Sequence, residues 1–207
     1  VKWLRDGVRW DFLEPTDGNY SWQEQDNVVK VANQYGINIL HQPSVVPDWV
    51  WKKDRQGRID AVYGLYKNLA TRYKGKVKYY EIFNEPNLSG MFYPEGKSEK
   101  DPDYVITYLD FLAAANKAIH ESDPGAVVVI GGLAEPDYAW MNPTTFMQKL
   151  YELGGKDCFD VFAYHPYASG GKFKEKADAI RATLTLYGDS AKPIWFNELG
   201  ALEKDQI

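Results

Sequence analysis

The chain has 207 residues, of which 44% are hydrophobic and 26% charged, so its composition is that of one globular domain and excludes wholesale disorder. Its 24 lysine and arginine residues against 29 aspartate and glutamate residues give a net charge of −5, which argues against a nucleic-acid partner. No stretch approaches the roughly 20 uninterrupted apolar residues that cross a membrane, and the single cysteine, Cys158, excludes an internal disulfide or a Cys-based zinc cluster.

Short β-rich runs alternate with amphipathic helical patterns along the first half of the chain. Ser21 followed by Glu24 has the capping-box spacing of a helix start, and Gly36 is suited to end that helix. The predicted elements are a strand at 7–11, a helix at 21–35, a strand at 37–41, a helix at 61–73 and a strand at 77–83.

The second half of the chain continues the same alternation. The run Ala126–Ile130 is almost entirely β-branched, as expected for a strand buried on both faces. The predicted elements are a helix at 103–122, a strand at 126–130, a helix at 144–153, a strand at 159–164, a helix at 173–187 and a strand at 193–197.

Alternating strands and helices predict a parallel sheet covered by helices, and two architectures fit: an open doubly wound sheet and a (β/α)8 barrel. The open nucleotide-binding type needs a glycine-rich phosphate loop, and neither GxGxxG nor GxxxxGK[ST] occurs. Polar side chains end most of the strands instead, namely Asp11, His41, Glu85, His165 and Glu198. This pattern favours a barrel of one domain, residues 1–207, with its site assembled from many strand ends.

Glu85 and Glu198 each follow a strongly apolar strand, so each carboxyl group is expected at the rim of the core. An isolated carboxylate there costs stability through desolvation, whereas two facing carboxyl groups have separated pKa values. Such a pair performs glycoside hydrolysis, in which one carboxylic acid protonates the leaving oxygen and the other carboxylate attacks the anomeric carbon. Alternatively, each is a surface glutamate at a strand end. The 15% aromatic content also suits a site that stacks on sugars.

The sequence around these glutamates resembles that of the clan A retaining glycoside hydrolases, and it is closest to family 39 and its relatives. The resemblance is carried by Arg9-Trp10-Asp11, Glu14-Pro15, Gly18-Asn19-Tyr20-Ser21-Trp22, Pro47-Asp48-Trp49, Glu81-Ile82-Phe83-Asn84-Glu85-Pro86-Asn87 and His165-Pro166-Tyr167. Those enzymes are (β/α)8 barrels with an acid/base glutamate after strand four and a nucleophile after strand seven. The resemblance therefore implies that this chain holds strands two to seven.

By the same resemblance, Glu85 is the general acid/base and Glu198 the nucleophile that forms a covalent glycosyl-enzyme intermediate. Asn84 would hydrogen-bond the 2-hydroxyl of the sugar. His165 and Tyr167 would lie beside the nucleophile, although His165 could instead be a core histidine.

Three further residues have two interpretations each, and a fourth has one. Arg9 would lie near the nucleophile and favour its ionised form, or it would neutralise a buried carboxylate such as Glu81. His41 and Trp49 would line the sugar cleft or belong to the core. Trp195 alternates away from Glu198 along its strand and is expected to pack against helices.

The resemblance also implies that the first and eighth strands are missing, since a complete barrel takes about 250 residues. The segment Ala201–Ile207 is too short and too polar to supply the eighth strand. The sequence is therefore expected to be either a piece of a larger enzyme or an incomplete barrel. Six strands leave two open edges, at 7–11 and at 193–197, through which self-association is expected.

The leading hypothesis is a retaining glycoside hydrolase of polysaccharide degradation, and the main alternative is a degenerate or truncated barrel that binds carbohydrate without efficient turnover. A metal-dependent hydrolase is disfavoured because no His-x-His ends a strand, and a Schiff-base aldolase because no lysine does. No cofactor and no metal are expected. Substrates allowed by the resemblance are xylosides, glucuronide-like sugars or internal bonds of exopolysaccharide, and a secreted or extracytoplasmic location is slightly favoured.

Overall fold

Strands and helices alternate along the residues that the computed structural model describes, which are 1–88, 92, 103–135, 141–167 and 172–200. The strands are β1 (Trp3–Arg9), β2 (Asn38–Ser44), β3 (Tyr79–Ile82), β4 (Val127–Ile130), β5 (Leu133–Ala134), β6 (Phe162–His165) and β7 (Ile194–Trp195). The helices are α1 (Trp10–Leu13), α2 (Gln23–Gln34), α3 (Asp48–Trp51), α4 (Arg55–Arg72), α5 (Tyr104–Ser122), α6 (Pro143–Glu152) and α7 (Phe173–Leu186), with a 3-10 turn at Gly155–Cys158. Within the described residues, no helix combines the length and the apolarity needed to cross a membrane.

The strands are parallel and follow one another in space in the order of the sequence. β1 to β4 form one sheet and β5 to β7 another. The two sheets are joined by hydrogen bonds from the Ile130 N–H to the Val161 carbonyl at 3.0 Å and from the Val161 N–H to the Val128 carbonyl at 3.1 Å. β4 and β5 thus share one strand position, interrupted at Gly131-Gly132. These six positions confirm the predicted fold, an incomplete (β/α)8 barrel.

The first strand differs most from its predicted bounds. β1 begins at Trp3 rather than at Gly7, and it ends at Arg9 rather than at Asp11. The chain leaves the sheet there because Trp10 and Leu13 of α1 turn into the core, where the Trp10 indole N–H donates to the Glu14 carboxylate at 2.8 Å. Asp11 is consequently a helix residue and not a strand-end residue.

Two helix starts also differ from the prediction. α4 begins at Arg55, before the predicted start at Ala61, because the Asp54 carboxylate caps it by accepting from the Gly57 N–H at 2.7 Å. The capping box predicted at Ser21 does not form, since α2 begins two residues later, after Trp22.

The strand register shows which side chains point into the barrel and which point towards the covering helices. Arg5 lies opposite Leu40, and Leu40 lies opposite Tyr79, so these side chains and that of Glu81 share the face inside the barrel. Alternate residues point to the opposite face, which the helices cover. That face includes the buried side chains of Ile39, His41, Tyr80, Ile82 and Val128.

Three aromatic rings pack together on the inner face. The ring centroid of Trp3 lies 4.8 Å from that of Tyr79 and 5.4 Å from that of Trp195, and the last two are 5.3 Å apart. The expectation that Trp195 packs against helices is therefore wrong. It assumed strand alternation up to Glu198, but β7 ends at Trp195, and alternation no longer applies beyond that residue.

Both outer strands of the array keep an open edge. Among the described strands, β1 pairs with β2 alone and β7 with β6 alone. A cavity of about 690 Å³ lies between β1 and β7, and most of its lining is apolar. The apolar lining comes from Trp3, Leu4, Leu40, Ile194, Trp195, Phe196 and Leu199. Trp3 and Leu4 are 44% and 37% exposed, so the seam presents apolar surface together with unpaired backbone groups.

We expect this 207-residue chain, produced by itself, to associate through these edges or to have a low melting temperature. Each unpaired buried backbone group costs about 1–3 kcal/mol, against a total stability of about 5–15 kcal/mol for a typical domain. Light scattering across a concentration series, with a thermal melt, measures both effects. A charge at the seam, Leu4→Lys, should lower the associated fraction. A monomer at high concentration that melts cooperatively at a usual temperature would contradict the edge argument.

Candidate active site

Glu85 lies in a turn that leaves β3 with an unusual backbone. Phe83 and Glu85 have φ values of 63° and 43°, in the left-handed region that residues other than glycine rarely adopt. Hydrogen bonds hold the turn: the Glu85 N–H donates to the Gly132 carbonyl at 3.1 Å, and the Leu88 N–H donates to the Glu85 carbonyl at 2.8 Å. The turn is therefore fixed to the interruption between β4 and β5.

Tyrosine hydroxyls from the helices that cover the sheet hydrogen-bond to β3 and to the same turn. Each donates to a backbone carbonyl of β3 or of the turn: Tyr66 to Glu81 at 3.3 Å, Tyr108 to Ile82 at 3.1 Å, and Tyr104 to Pro86. Burial raises the pKa of Tyr66 and of Tyr108 well above its ordinary value, so both hydroxyls stay protonated as donors. Helices α4 and α5 thereby fix a backbone that would otherwise relax.

Glu198 lies beyond the end of β7, where two hydrogen-bond donors and an imidazole surround its carboxylate. Arg5 Nη1 donates to its Oε1, the Tyr167 hydroxyl donates to its Oε2 at 2.7 Å, and His165 Nδ1 lies 3.8 Å from that second oxygen. Partial burial by itself would raise the pKa of Glu198, but His165, Tyr167 and Arg5 together outweigh it and lower the pKa. The carboxylate is thus held in its ionised form. Tyr167 has its own pKa raised to about 12, first by the hydrogen bond to Glu198 and then by burial.

Arg5 connects Glu198 to a second, fully buried carboxylate. Its Nε and Nη2 donate to the two oxygens of Glu81 at 2.7 and 3.0 Å, and Nη2 also donates to Asn84 Oδ1 at 2.6 Å. The Gly132 N–H completes the coordination of Glu81 at 2.9 Å. Burial by itself would lower the pKa of Arg5, but the hydrogen bond and charge of Glu81, followed by those of Glu198, raise it. Arg5 is therefore a permanent cation shared by three side chains.

This arrangement corrects the expectation for Arg9. Arg9 pairs with Asp11 at 2.8 and 2.5 Å, its guanidinium lies 4.3 Å from the centroid of the Phe12 ring, and its side chain is 47% exposed. The arginine beside Glu198 and Glu81 is Arg5. The sequence analysis does not identify Arg5, because the strand that it predicts at 7–11 begins after that residue. The available signal was the apolar pair Trp3-Leu4, which extends the strand backwards.

Glu85 and Glu198 face each other across a short gap that His165 spans. One carboxylate oxygen of each and one imidazole nitrogen all lie within 4.8 Å of one another. His165 Nδ1 lies 2.9 Å from Glu85 Oε1, and whenever the Glu85 carboxyl is ionised its oxygen can only accept, so that this nitrogen then carries the proton. Carboxyl groups about 5–5.5 Å apart are typical of retaining glycosidases, whereas inverting enzymes have about 6.5–9.5 Å. The close approach fits the retaining spacing.

The same three side chains could offer three ligand atoms to a metal ion. Both oxygens of Glu198 already accept hydrogen bonds, from Arg5 and from Tyr167. A guanidinium in direct contact with a carboxylate repels a second cation there. The geometry therefore favours an ion-paired carboxylate over a metal ligand.

His41 and Trp49 lie away from this pair in packed positions. His41 is fully buried on the helix-covered face, opposite to the face of Arg5, with its Nε2 3.1 Å from an oxygen of Asp6 and its ring against Tyr73. The Trp49 indole N–H donates to the Glu14 carbonyl at 3.1 Å. These contacts correspond to the core interpretation of both residues. The structure brings together Glu85, Glu198, Asn84, His165 and Tyr167 of the predicted set.

Comparison with known proteins identifies the fold and the family of the chain. The family model of glycosyl hydrolase family 10 matches residues 5–152, a range that includes Arg5 and Glu85 and ends before Glu198. The chain is 29% identical over 130 residues to endo-1,4-beta-xylanase A of Xylanibacter ruminicola, covering 58% of this chain and 34% of that protein. It thus spans about a third of the length of this curated relative.

Solved structures share the fold at low sequence identity. Xylanase B from Clostridium stercorarium F9 aligns with a TM-score of 0.66 and 18% identity, over 100% of this chain and 67% of that one. A family 39 glycoside hydrolase from Bacteroides cellulosilyticus WH2 aligns with a TM-score of 0.57 and 21% identity, over 80% of this chain and 33% of that one. The predicted clan A glycoside hydrolase is confirmed, and the family whose model matches is family 10 rather than family 39. The chain belongs to glycosyl hydrolase family 10.

Proposed function

We propose that this protein is a retaining glycoside hydrolase in which Glu198 is the nucleophile and Glu85 the general acid/base. The observation that carries the proposal is the asymmetry of the facing carboxylates. Glu198 is held ionised by His165, Tyr167 and the Arg5 cation, whereas the Glu85 carboxyl, among the described residues, pairs with His165 and with no arginine or lysine, and one oxygen of each lies within 4.8 Å. An ionised group opposite a group that exchanges protons is what double displacement at an anomeric carbon requires.

The reaction follows from these positions. Glu198 attacks the anomeric carbon while Glu85 gives its proton to the leaving oxygen, so the glycosidic C–O bond breaks and an ester to Glu198 forms. Glu85, now a carboxylate, takes a proton from water, and the hydroxide attacks the same carbon and releases Glu198. Asn84, fixed by Arg5 at 2.6 Å, is proposed to bind the sugar 2-hydroxyl. His165 holds the Glu85 carboxyl through its Nδ1 proton.

We propose a β-1,4-linked xylan as the substrate. The support is the name of the relatives, which are endo-1,4-beta-xylanases in Xylanibacter ruminicola, Claviceps purpurea and Arabidopsis thaliana. Closeness to family 39 within clan A stays a prediction from the sequence flanks, and it also allows xylosides.

The second candidate is a barrel that binds carbohydrate without efficient turnover. The open seam between β1 and β7 favours it, because the cavity there reaches Arg5 and Asn197 next to the site. Among the described residues, both polar atoms of the Asn197 amide are buried without a hydrogen-bond partner. A site with such an open flank holds its groups less firmly than a closed barrel does.

A 2-fluoro-2-deoxy xyloside with an activated leaving group distinguishes the two candidates. We expect a covalent adduct of one sugar mass on the peptide that contains Glu198, because the fluorine slows both formation and hydrolysis of the glycosyl ester, whereas the activated leaving group restores only the formation. Mass spectrometry of the digested protein locates the adduct, and Glu198→Ala is the control. Xylo-oligosaccharide binding without an adduct would favour the non-catalytic candidate. Proton NMR of fresh hydrolysate should show the retained β-anomer first.

The two glutamates should respond differently to substitution. Glu198→Ala removes the nucleophile and should abolish turnover of every substrate. Glu85→Ala should spare the first step on aryl glycosides with good leaving groups, which need no protonation, and added azide should accelerate it and yield a glycosyl azide. Steady-state kinetics over a leaving-group series measures this. Identical responses of the two variants would remove the assignment of roles.

Tyr167→Phe tests how Glu198 is kept ionised. The hydroxyl lowers the pKa of Glu198, so its loss raises that pKa. Since the ionised form is the nucleophile, the acid limb of the kcat/KM profile should move to higher pH. A hydrogen bond to a charged group contributes about 1.5–3 kcal/mol, which limits the loss in kcat/KM to about 10–160-fold. Tyr187→Phe, which removes a hydroxyl from an exposed contact with Glu152, is the matched control. An unmoved acid limb would rule out this role.

A further inference from the structure

The interruption between β4 and β5 supports both glutamates of the site, Glu85 directly and Glu198 through other side chains. The Gly132 N–H donates to Glu81 at 2.9 Å, and Glu81 in turn holds Arg5, which binds Glu198. The carbonyl of the same glycine accepts from the Glu85 N–H at 3.1 Å. One peptide segment therefore connects the supports of the two glutamates.

Gly132 also forms a wall behind the imidazole of His165. A Cβ built on Gly132 would lie 2.1 Å from His165 Nε2 and 2.6 Å from its Cδ2, far inside van der Waals contact. The backbone of Gly132 is not in the left-handed region, so the residue is needed for space rather than for conformation. Nε2 has no hydrogen-bond partner among the described residues, which fits its position against this Cα.

We infer that Gly132 is a positioning residue of the catalytic pair, because the missing Cβ lets the His165 ring approach far enough for its Nδ1 proton to reach Glu85. This inference rests on the proposed function. The imidazole is confined between the Gly132 Cα on one side and Glu85 Oε1, 2.9 Å from Nδ1, on the other. His165 itself is fully buried, so the ring has little room to move aside.

Gly132→Ala should displace His165 from Glu85 and leave the contacts that support Glu198 in place. The backbone N–H and carbonyl of residue 132 remain, so Glu81, Arg5 and Glu198 keep their support. The ring of His165 has to shift by about 1 Å or more, and a displacement of that size near reacting groups costs on the order of 100-fold in rate. We expect that loss in kcat on substrates that need protonation by Glu85, a smaller loss on activated aryl glycosides, and little change in KM.

A double-mutant cycle with His165→Ala tests whether Gly132 acts through the ring. Once the imidazole is gone, Gly132→Ala should cost no further activity or melting temperature, so the double variant should equal His165→Ala. Equal losses from Gly132→Ala with and without His165 would overturn the inference and assign the glycine to the backbone alone. If Gly132→Ala does not fold, recovery of folding in the double variant supports the inference, and failure to recover contradicts it. Gly64→Ala, in α4 with open space at its Cβ, is the matched control.

A measurement without substrate keeps this inference separate from the proposed function. Long-range proton–nitrogen NMR correlations of the imidazole give the Nδ1 and Nε2 shifts of the ring in the wild-type protein, with His165→Ala identifying the signals. Gly132→Ala should change those nitrogen shifts, and unchanged shifts would refute the positioning role. A wild-type protein that forms no fluoro-sugar adduct removes the proposed hydrolase, while the nitrogen shifts still decide the geometry.

Discussion

The buried ion pair between Arg5 and Glu81 is the contact on which the rest of the site depends. Glu81 is completely buried, and a carboxylate in that position is tolerated only with a cation and further donors, which Arg5 and the Gly132 N–H supply. Breaking such a pair by removing one partner costs about 3–5 kcal/mol, because the other charge stays buried. The guanidinium that meets this structural need also holds Glu198 and Asn84, so core stability and nucleophile ionisation share one side chain.

The sequence predicted the fold well because strand–helix alternation is a long-range periodic signal. It located the six strand positions, and its errors are at boundaries where local chemistry competes. The start of α4 depends on the Asp54 cap, and β1 ends where Trp10 turns into the core. The two residues of β5 are too few for any period, and they follow two glycines that the pattern treats as a loop. Boundaries of this kind are set by single hydrogen bonds and single buried rings.

The site residues that follow directly after a strand could be identified from the sequence. Those that reach the site from another part of the barrel could not. Glu85 and Glu198 were found because each follows an apolar strand. Arg5 was missed and Arg9 chosen instead because the strand was expected to begin at Gly7, and both arginines alternate to the same side of β1, so only the strand bounds separate them. Gly132 offers no functional group, and the space that it leaves becomes visible only when His165 is placed against it.

The contact between Arg5 and Glu198 joins residues 193 positions apart, across the seam between β1 and β7. Closing so long a loop loses much chain entropy before the contact forms, and contacts of high sequence separation slow folding. A partly folded chain with β1 to β6 in place holds the acid/base but lacks the nucleophile. Among the described strands it is the docking of β7 that brings the nucleophile to the acid/base, so covalent labelling of Glu198 reports that this strand is in place.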